Sequence, residues 1–464
     1  MEGMMEKTGL YRITRISSLW QISLIISLGI ATSYSLVSNS LLGMPFLFLT
    51  LLFLFYYGLG MEKTLLVLLF LRVNFDAFHQ QLSFNLGEYK SLSLPSLLGL
   101  FILAVGVLYL LTRKANFLKL PLVKAVVFFI LGCFLSLPFS QNLTNSLSEL
   151  LELFSFIILF ILILDFIRSE KDVKRMVNCI LLSAIIPLTV GLIQIANNLS
   201  VSIGLEPSHR IYSTLTHPNA YAFYLVIISV LTMSLLMGAK NLSEKFKYFT
   251  LLGLLLTSLI YTFTRSAWLG LIFAVFILGL LQHRKLLIFS PLVIAFLILT
   301  LPLIFERFQP LFNPDLQKYT SFAWRINIWT SSIPYFLAHP VFGNGFGSFI
   351  FVGYEIDNWF AAAHNDYLRI LVETGVLGFL GFIWILISLQ RIGIKAFKNA
   401  INSFHRNIAA GFIALLFAYM VMSFSDNLFN HGGIQWYFWA YAGVVTAIYR
   451  IDSFRKKRVE NDKI

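Results

Sequence analysis

Charged side chains are scarce in this 464-residue chain: only 12% of positions are Asp, Glu, Lys or Arg, against roughly a quarter in a soluble domain. Too little polar surface is left to clothe a water-soluble body. Cysteine is scarcer still. Cys133 and Cys179 both lie in apolar runs, so neither a disulfide framework nor a thiolate metal site is implied. The short alternating strands of a membrane barrel are missing, which leaves helices as the way to span a bilayer. There is no aspartate-x-aspartate motif, no H-E-x-x-H, no P-loop and no G-x-S-x-G. Metal-assisted chemistry and ATP-driven transport are therefore unsupported, and no cofactor is expected.

Apolar residues are abundant, at 58%, and come in blocks of about twenty, the length a helix needs to cross hydrocarbon. The blocks fall at 18–37, 41–60, 93–112, 120–139, 147–168, 178–197, 219–238, 246–264, 266–282, 285–305, 367–389, 407–425 and 434–450. A shorter run, Thr64 to Val73, is interrupted by Arg72. The expected fold is an all-α polytopic membrane protein with about 12–14 transmembrane helices, forming one integral-membrane domain over residues 1–464. The first block follows basic residues but lacks a small-residue cleavage site, and reads as a retained helix.

The net charge of +13 could suggest nucleic acid, but its distribution does not. With the N-terminus inside and the short run counted as a crossing, 27 of the 35 Lys and Arg fall on the cytoplasmic side, 7 fall outside and Arg72 lies within a segment. This is the bias of short topological anchors. Both termini are expected in the cytoplasm, and no nucleic-acid partner is implied. Two external loops stand out, 198–218 and 306–366. The second is too long for a connector; it is rich in aromatics and in glycines, and is expected to hold short helices and to contribute to a site.

External arginines run against the orienting bias. Arg265 sits between two apolar runs with almost no loop. It either snorkels to the headgroups or holds an anion, since a guanidinium forks onto phosphate oxygens. His364 closes the large loop just before a span that Asn365 or Asp366 can cap. It is either a structural capping residue or an imidazole kept neutral by the helix terminus, as a general base must be. Arg369 and Glu373, four apart, are expected to pair. Gly375, Gly378 and Gly381 are expected to permit close helix packing. Glu149 and Glu152, near the start of a span, are the main acidic candidates.

These residues resemble the O-antigen ligase and polymerase superfamily of bacterial membrane glycosyltransferases. An R-x3-L motif runs from Arg265 to Leu269, and an H-x10-G motif from His364 to Gly375. The H-P-N stretch at His217–Asn219 after Arg210 is also similar, as is the run from Arg325 through Trp329 to Gly343-Asn344-Gly345-Phe346-Gly347. The resemblance carries motifs over residues 190–435 and elsewhere rests on hydropathy alone.

It implies transfer of a glycan from an undecaprenyl-pyrophosphate carrier to an acceptor hydroxyl, on the periplasmic face of the inner membrane, without metal or nucleotide. Arg210, Arg265 and, as a weaker candidate, Arg325 would hold the pyrophosphate. His364 would activate the acceptor, and attack opposite the leaving group would invert the anomeric centre. Membrane lipids and a glycan or lipid A-core acceptor are the implied partners. Ligase and polymerase are not separable at this level. The alternative class is a transporter or flippase of lipid-linked saccharides, which would line a path through the bilayer with charge; here the unusual arginines and His364 collect on one side.

Overall fold

The computed structural model describes residues 43–78, 83–85, 91–111, 121–199, 210–284, 287, 321–357 and 362–461. The span expected at 18–37, that at 285–305 apart from residue 287, and the external residues Lys90, His209, Arg307 and Lys318 lie outside the described residues. The chain is an all-α polytopic membrane protein. The described helices are α1 (Gly43–Leu59), α2 (Met61–Leu71), α3 (Leu94–Leu111), α4 (Pro121–Ser136), α5 (Leu143–Phe166), α6 (Glu170–Leu182), α7 (Ile185–Ala196), α8 (Pro218–Gly238), α9 (Leu242–Tyr261), α10 (Arg265–Leu281), α11 (Ser321–Ala338), α12 (Phe349–Asp357), α13 (Asp366–Asn399), α14 (Ser403–Ser423) and α15 (Gly432–Asn461). Among the described residues one antiparallel pair of three-residue strands, β1 (Ser83–Asn85) and β2 (Ser91–Ser93), precedes α3.

Seven helical stretches among the described residues are long and apolar enough to cross a membrane. The blocks expected at 41–60 and 266–282 emerge as shorter apolar helices, and that at 178–197 begins earlier, at Glu170, and is broken at Ser183. The interrupted run at 64–73 becomes α2 followed by a 3-10 segment, Arg72–Phe78. At about 1.5 and 2.0 Å per residue, the two together have the length of a crossing.

Asparagines punctuate the bundle. Asn142, Asn241, Asn365 and Asn402 each cap a helix by accepting from a backbone amide in its first turn. Helices α8 and α15 are buried on every face over most of their length, as expected of central helices that are apolar all round. By contrast, only 33% of the α4 span is buried, leaving a broad face for lipid.

Helix α13 packs against α4 where glycines let the backbones meet. A Cβ on Gly132 would lie 2.6 Å from Gly378 Cα, and one on Gly381 would lie 2.7 Å from Phe129 Cα. Gly378 and Gly381 thus do what their spacing suggested. Gly375 does something else. Its φ of 61° and ψ of −169° break α13, and the freed groups are taken up by the preceding loop. Val376 N donates to Pro340 O at 2.9 Å, while Asn344 N and Gly345 N donate to Val372 O and Glu373 O at 3.0 and 2.9 Å. The 340–345 segment is stitched into an opened helical turn.

The two ends of the bundle carry different charge. At one end Arg175 pairs with Glu62, and Asn402 donates to Glu170. There, too, His405 meets Asp452 at 3.0 Å. The other end gathers Arg210, His364 and Asp426, under a cap made by α11 and α12. That cap has its own small core, Ile328, Phe349, Val352, Ala363 and Val372.

Candidate active site

Four chain segments meet at the capped end: Arg210–Ser213, Thr262–Arg265 between α9 and α10, His364–Asp366 opening α13, and Asp426–His431 between α14 and α15. Four described non-glycine residues have positive φ, and three of them lie in or beside these segments: Ser213 at 57°, Phe263 at 50° and His364 at 46°. Such conformations cost on the order of 1–3 kcal/mol each and persist only where the surroundings hold them.

His364 is held from three sides. Asn365 caps α13 through Leu368 N at 3.1 Å, and its own amide donates to Asn427 Oδ1 at 3.3 Å. Trp324 of α11 packs edge-on to the imidazole at 5.7 Å. Trp329 donates its indole N–H to Ala363 O at 2.7 Å, pinning the cap beside the histidine. The contact with Asp426 decides the chemistry. His364 Nδ1 lies 2.9 Å from Asp426 Oδ1. An ionised carboxylate accepts only, so Nδ1 carries the proton and Nε2 of a neutral ring is left as the basic nitrogen.

Asp426 is buried, 2% exposed. Burial works to raise its carboxyl, but the charge and hydrogen bond of His364 and the charges of Arg325 and His431 overcome this and hold it well below the usual range. Its other oxygen accepts from Asn219 Nδ2, and Asn219 Oδ1 accepts from Arg210 Nη2. Arg210 also donates from Nε to Thr262 O at 2.8 Å and from Nη2 to Thr264 Oγ1 at 2.9 Å. Thr264 is the N-cap of α10, whose first residue is Arg265. One hydrogen-bonded chain therefore runs from the Arg265 helix terminus through Arg210, Asn219 and Asp426 to His364.

Arg210, at 5% exposure, spends much of its guanidinium on the protein itself. Arg265 is half-buried at the start of α10, where the helix dipole adds to its positive field. Arg325 lies on α11 with its Nε buried and no hydrogen-bond partner for it among the described residues. His217 accepts Asn219 N on Nδ1 at 3.0 Å, and burial pushes its pKa down to about 4. His431 is likewise lowered by burial. No group of three or more His, Cys, Asp or Glu side chains among the described residues is arranged to hold a metal ion.

Residues 250–383 match the family model described as O-antigen ligase. Over that stretch the chain is similar to the O-antigen ligase family. No curated protein matches the chain. The matched stretch takes in Arg265, Arg325 and His364, whereas Arg210, Asn219 and Asp426 lie on either side of it. The structure therefore completes the site with residues from beyond the matched stretch. Asp426 and His431 escaped the sequence reading. The polar run Ser425-Asp426-Asn427 between two spans was the available signal. Arg369 and Glu373 pair at 3.0 Å as their spacing suggested, and Arg369 also reaches Glu149 at 3.4 Å.

Proposed function

We propose that this protein is a membrane glycosyltransferase that moves a glycan from an undecaprenyl-pyrophosphate donor to an acceptor hydroxyl at the periplasmic face of the inner membrane. Glycan transfer of the O-antigen ligase and polymerase type is the family-level activity. The observation that carries the finer reading is the Asp426–His364 contact, which leaves Nε2 as an oriented base at the end of a hydrogen-bonded chain that includes Arg210 and reaches the start of α10.

In this mechanism His364 Nε2 takes the acceptor hydroxyl proton as the oxygen attacks the anomeric carbon. The carbon–oxygen bond to the diphosphate breaks, and the electron pair leaves with the lipid diphosphate. Arg265 and Arg325 meet the charge that develops there, each charged hydrogen bond contributing about 1.5–3 kcal/mol. Arg210 supports them from behind, through Thr264 and Asn219. Asp426 stabilises the imidazolium that forms, and the proton then passes to solvent or to the departing phosphate. A base so placed contributes roughly 10²–10⁴-fold. Attack opposite the leaving group inverts the anomeric centre.

The test is incubation of the purified chain with an undecaprenyl-pyrophosphate glycan. A product ladder identifies a polymerase and a single shift on an added acceptor identifies a ligase. Donor that stays unchanged under all acceptors tried would sink the reading.

A further inference from the structure

A cavity of about 540 Å³ opens at the same end of the bundle, within the roughly 300–1,000 Å³ range of small-molecule sites. Its wall includes Asn430, His431, Gly432 and Gly433, which follow Asp426 in the connection from α14 into α15, so it adjoins the reacting centre by way of that turn. Its lining is unlike that of the arginine cluster. Three carboxylates, Asp76, Glu149 and Glu152, face it together with four serines and the Trp436 ring.

One guanidinium, Arg72, also lines the cavity, and it is 3% exposed. Its Nη1 donates to Asp76 Oδ1 at 2.6 Å, and it lies 5.6 Å from the centre of the Trp436 ring. Its Nε is buried and meets no acceptor among the described residues. The turn is built to leave this space open. A Cβ on Gly432 would come within 2.3 Å of Glu152 Oε1, and one on Gly433 within 2.5 Å of Asp76 Oδ2.

A diphosphate is a poor occupant, because its charge would face carboxylates out of bulk water. A sugar suits the site. Its hydroxyls donate to the carboxylates and exchange hydrogen bonds with the serine hydroxyls. We propose that this cavity is a saccharide subsite whose carboxylate lining favours neutral and amino sugars and turns away uronic acids. The choice of ligand rests on the glycan-transfer reading. Charge is thereby divided: the arginine side takes the diphosphate, and the acidic side takes the sugar.

The test uses the full chain in lipid nanodiscs and two oligosaccharide probes that differ only by oxidation at C6, one a hexoside and the other its uronic acid. The neutral probe is expected to bind tighter by on the order of tenfold or more, since like charges set against each other are disfavoured. Glu152→Gln is expected to narrow that gap severalfold. Gly432→Ala, which fills space and removes no charge, is expected to weaken both probes and keep the gap; it serves equally if Glu152→Gln fails to fold. Equal binding of the two probes, preference for the acid, or binding of neither overturns the proposal. Used as inhibitors of transfer, the probes show whether donor or acceptor sugar is displaced. Probe discrimination in a chain that proves to have no transfer activity would leave the subsite standing and remove the glycan-transfer reading.

Discussion

A carboxylate can only accept hydrogen bonds, so the contact from His364 Nδ1 to Asp426 Oδ1 sets which imidazole nitrogen is basic. An amide at position 426 can turn and donate instead, moving the proton to Nε2. Asp426→Asn is therefore expected to lower kcat by roughly 10²–10⁴-fold with little change in KM, because the tautomer is wrong while the binding groups are intact. Unaltered kcat would show that the contact is structural only. His217 gives a pH prediction. Its folded pKa of about 4 lies below the ordinary 6.5, so the unfolded chain binds a proton that the folded chain refuses as pH falls through that window. Stability present above pH 6.5 is thus expected to be lost progressively down to about pH 4, by up to about 3 kcal/mol. His217→Asn, which still caps α8 but cannot titrate, should flatten that part of a melting-temperature profile. His364 was legible because it stands where a loop meets a helix. Asp426 lies 62 residues further on, and no spacing rule joins residues brought together by the packing of separate helices.

The glycine that ends the H-x10-G motif is an element of architecture. Gly375 opens α13 so that the loop after α11 can dock, and the fit is mutual: a Cβ there would lie 2.3 Å from Val341 C, while one on Gly343 would lie 2.4 Å from Glu373 C. The docked loop carries the chain from α11, which covers His364, back onto α13. Gly375→Ala meets both a left-handed φ and a backbone clash. It is expected to destabilise the fold by about 1–3 kcal/mol or more and to expose the amides of 343–345 to hydrogen exchange. Protection equal to wild type would refute that role. The helices themselves were readable from hydropathy, because lipid demands continuous apolar runs of fixed length. The break at Gly375 was not, since three glycines at regular spacing within one apolar run look alike until the loop that docks on the first of them is in place.

Across the whole molecule, helix packing sorts charge to two ends. Arg168–Arg175, Asn402–Arg406 and Asp452 belong to one end, and Arg210, His364, Asp426 and the acidic cavity belong to the other. The basic-residue rule drew the same division from sequence alone, because topological anchors must be locally sequential. Single cysteines placed at 210, 265 and 364 in a background lacking Cys133 and Cys179 are expected to react from the periplasmic side only, and one at 171 from the cytoplasmic side only. Labelling of 210, 265 and 364 on opposite sides would dismantle the site.

The most direct measurement is the single-turnover rate of glycan transfer from a lipid diphosphate donor, in reconstituted membranes, for wild type and for His364→Ala and Arg265→Ala. A base and a diphosphate clamp acting together predict a fall of roughly 10²–10⁴-fold for the histidine variant, and of about tenfold or more for the arginine variant. Full rate in either, with the protein folded and inserted, would contradict the assignment.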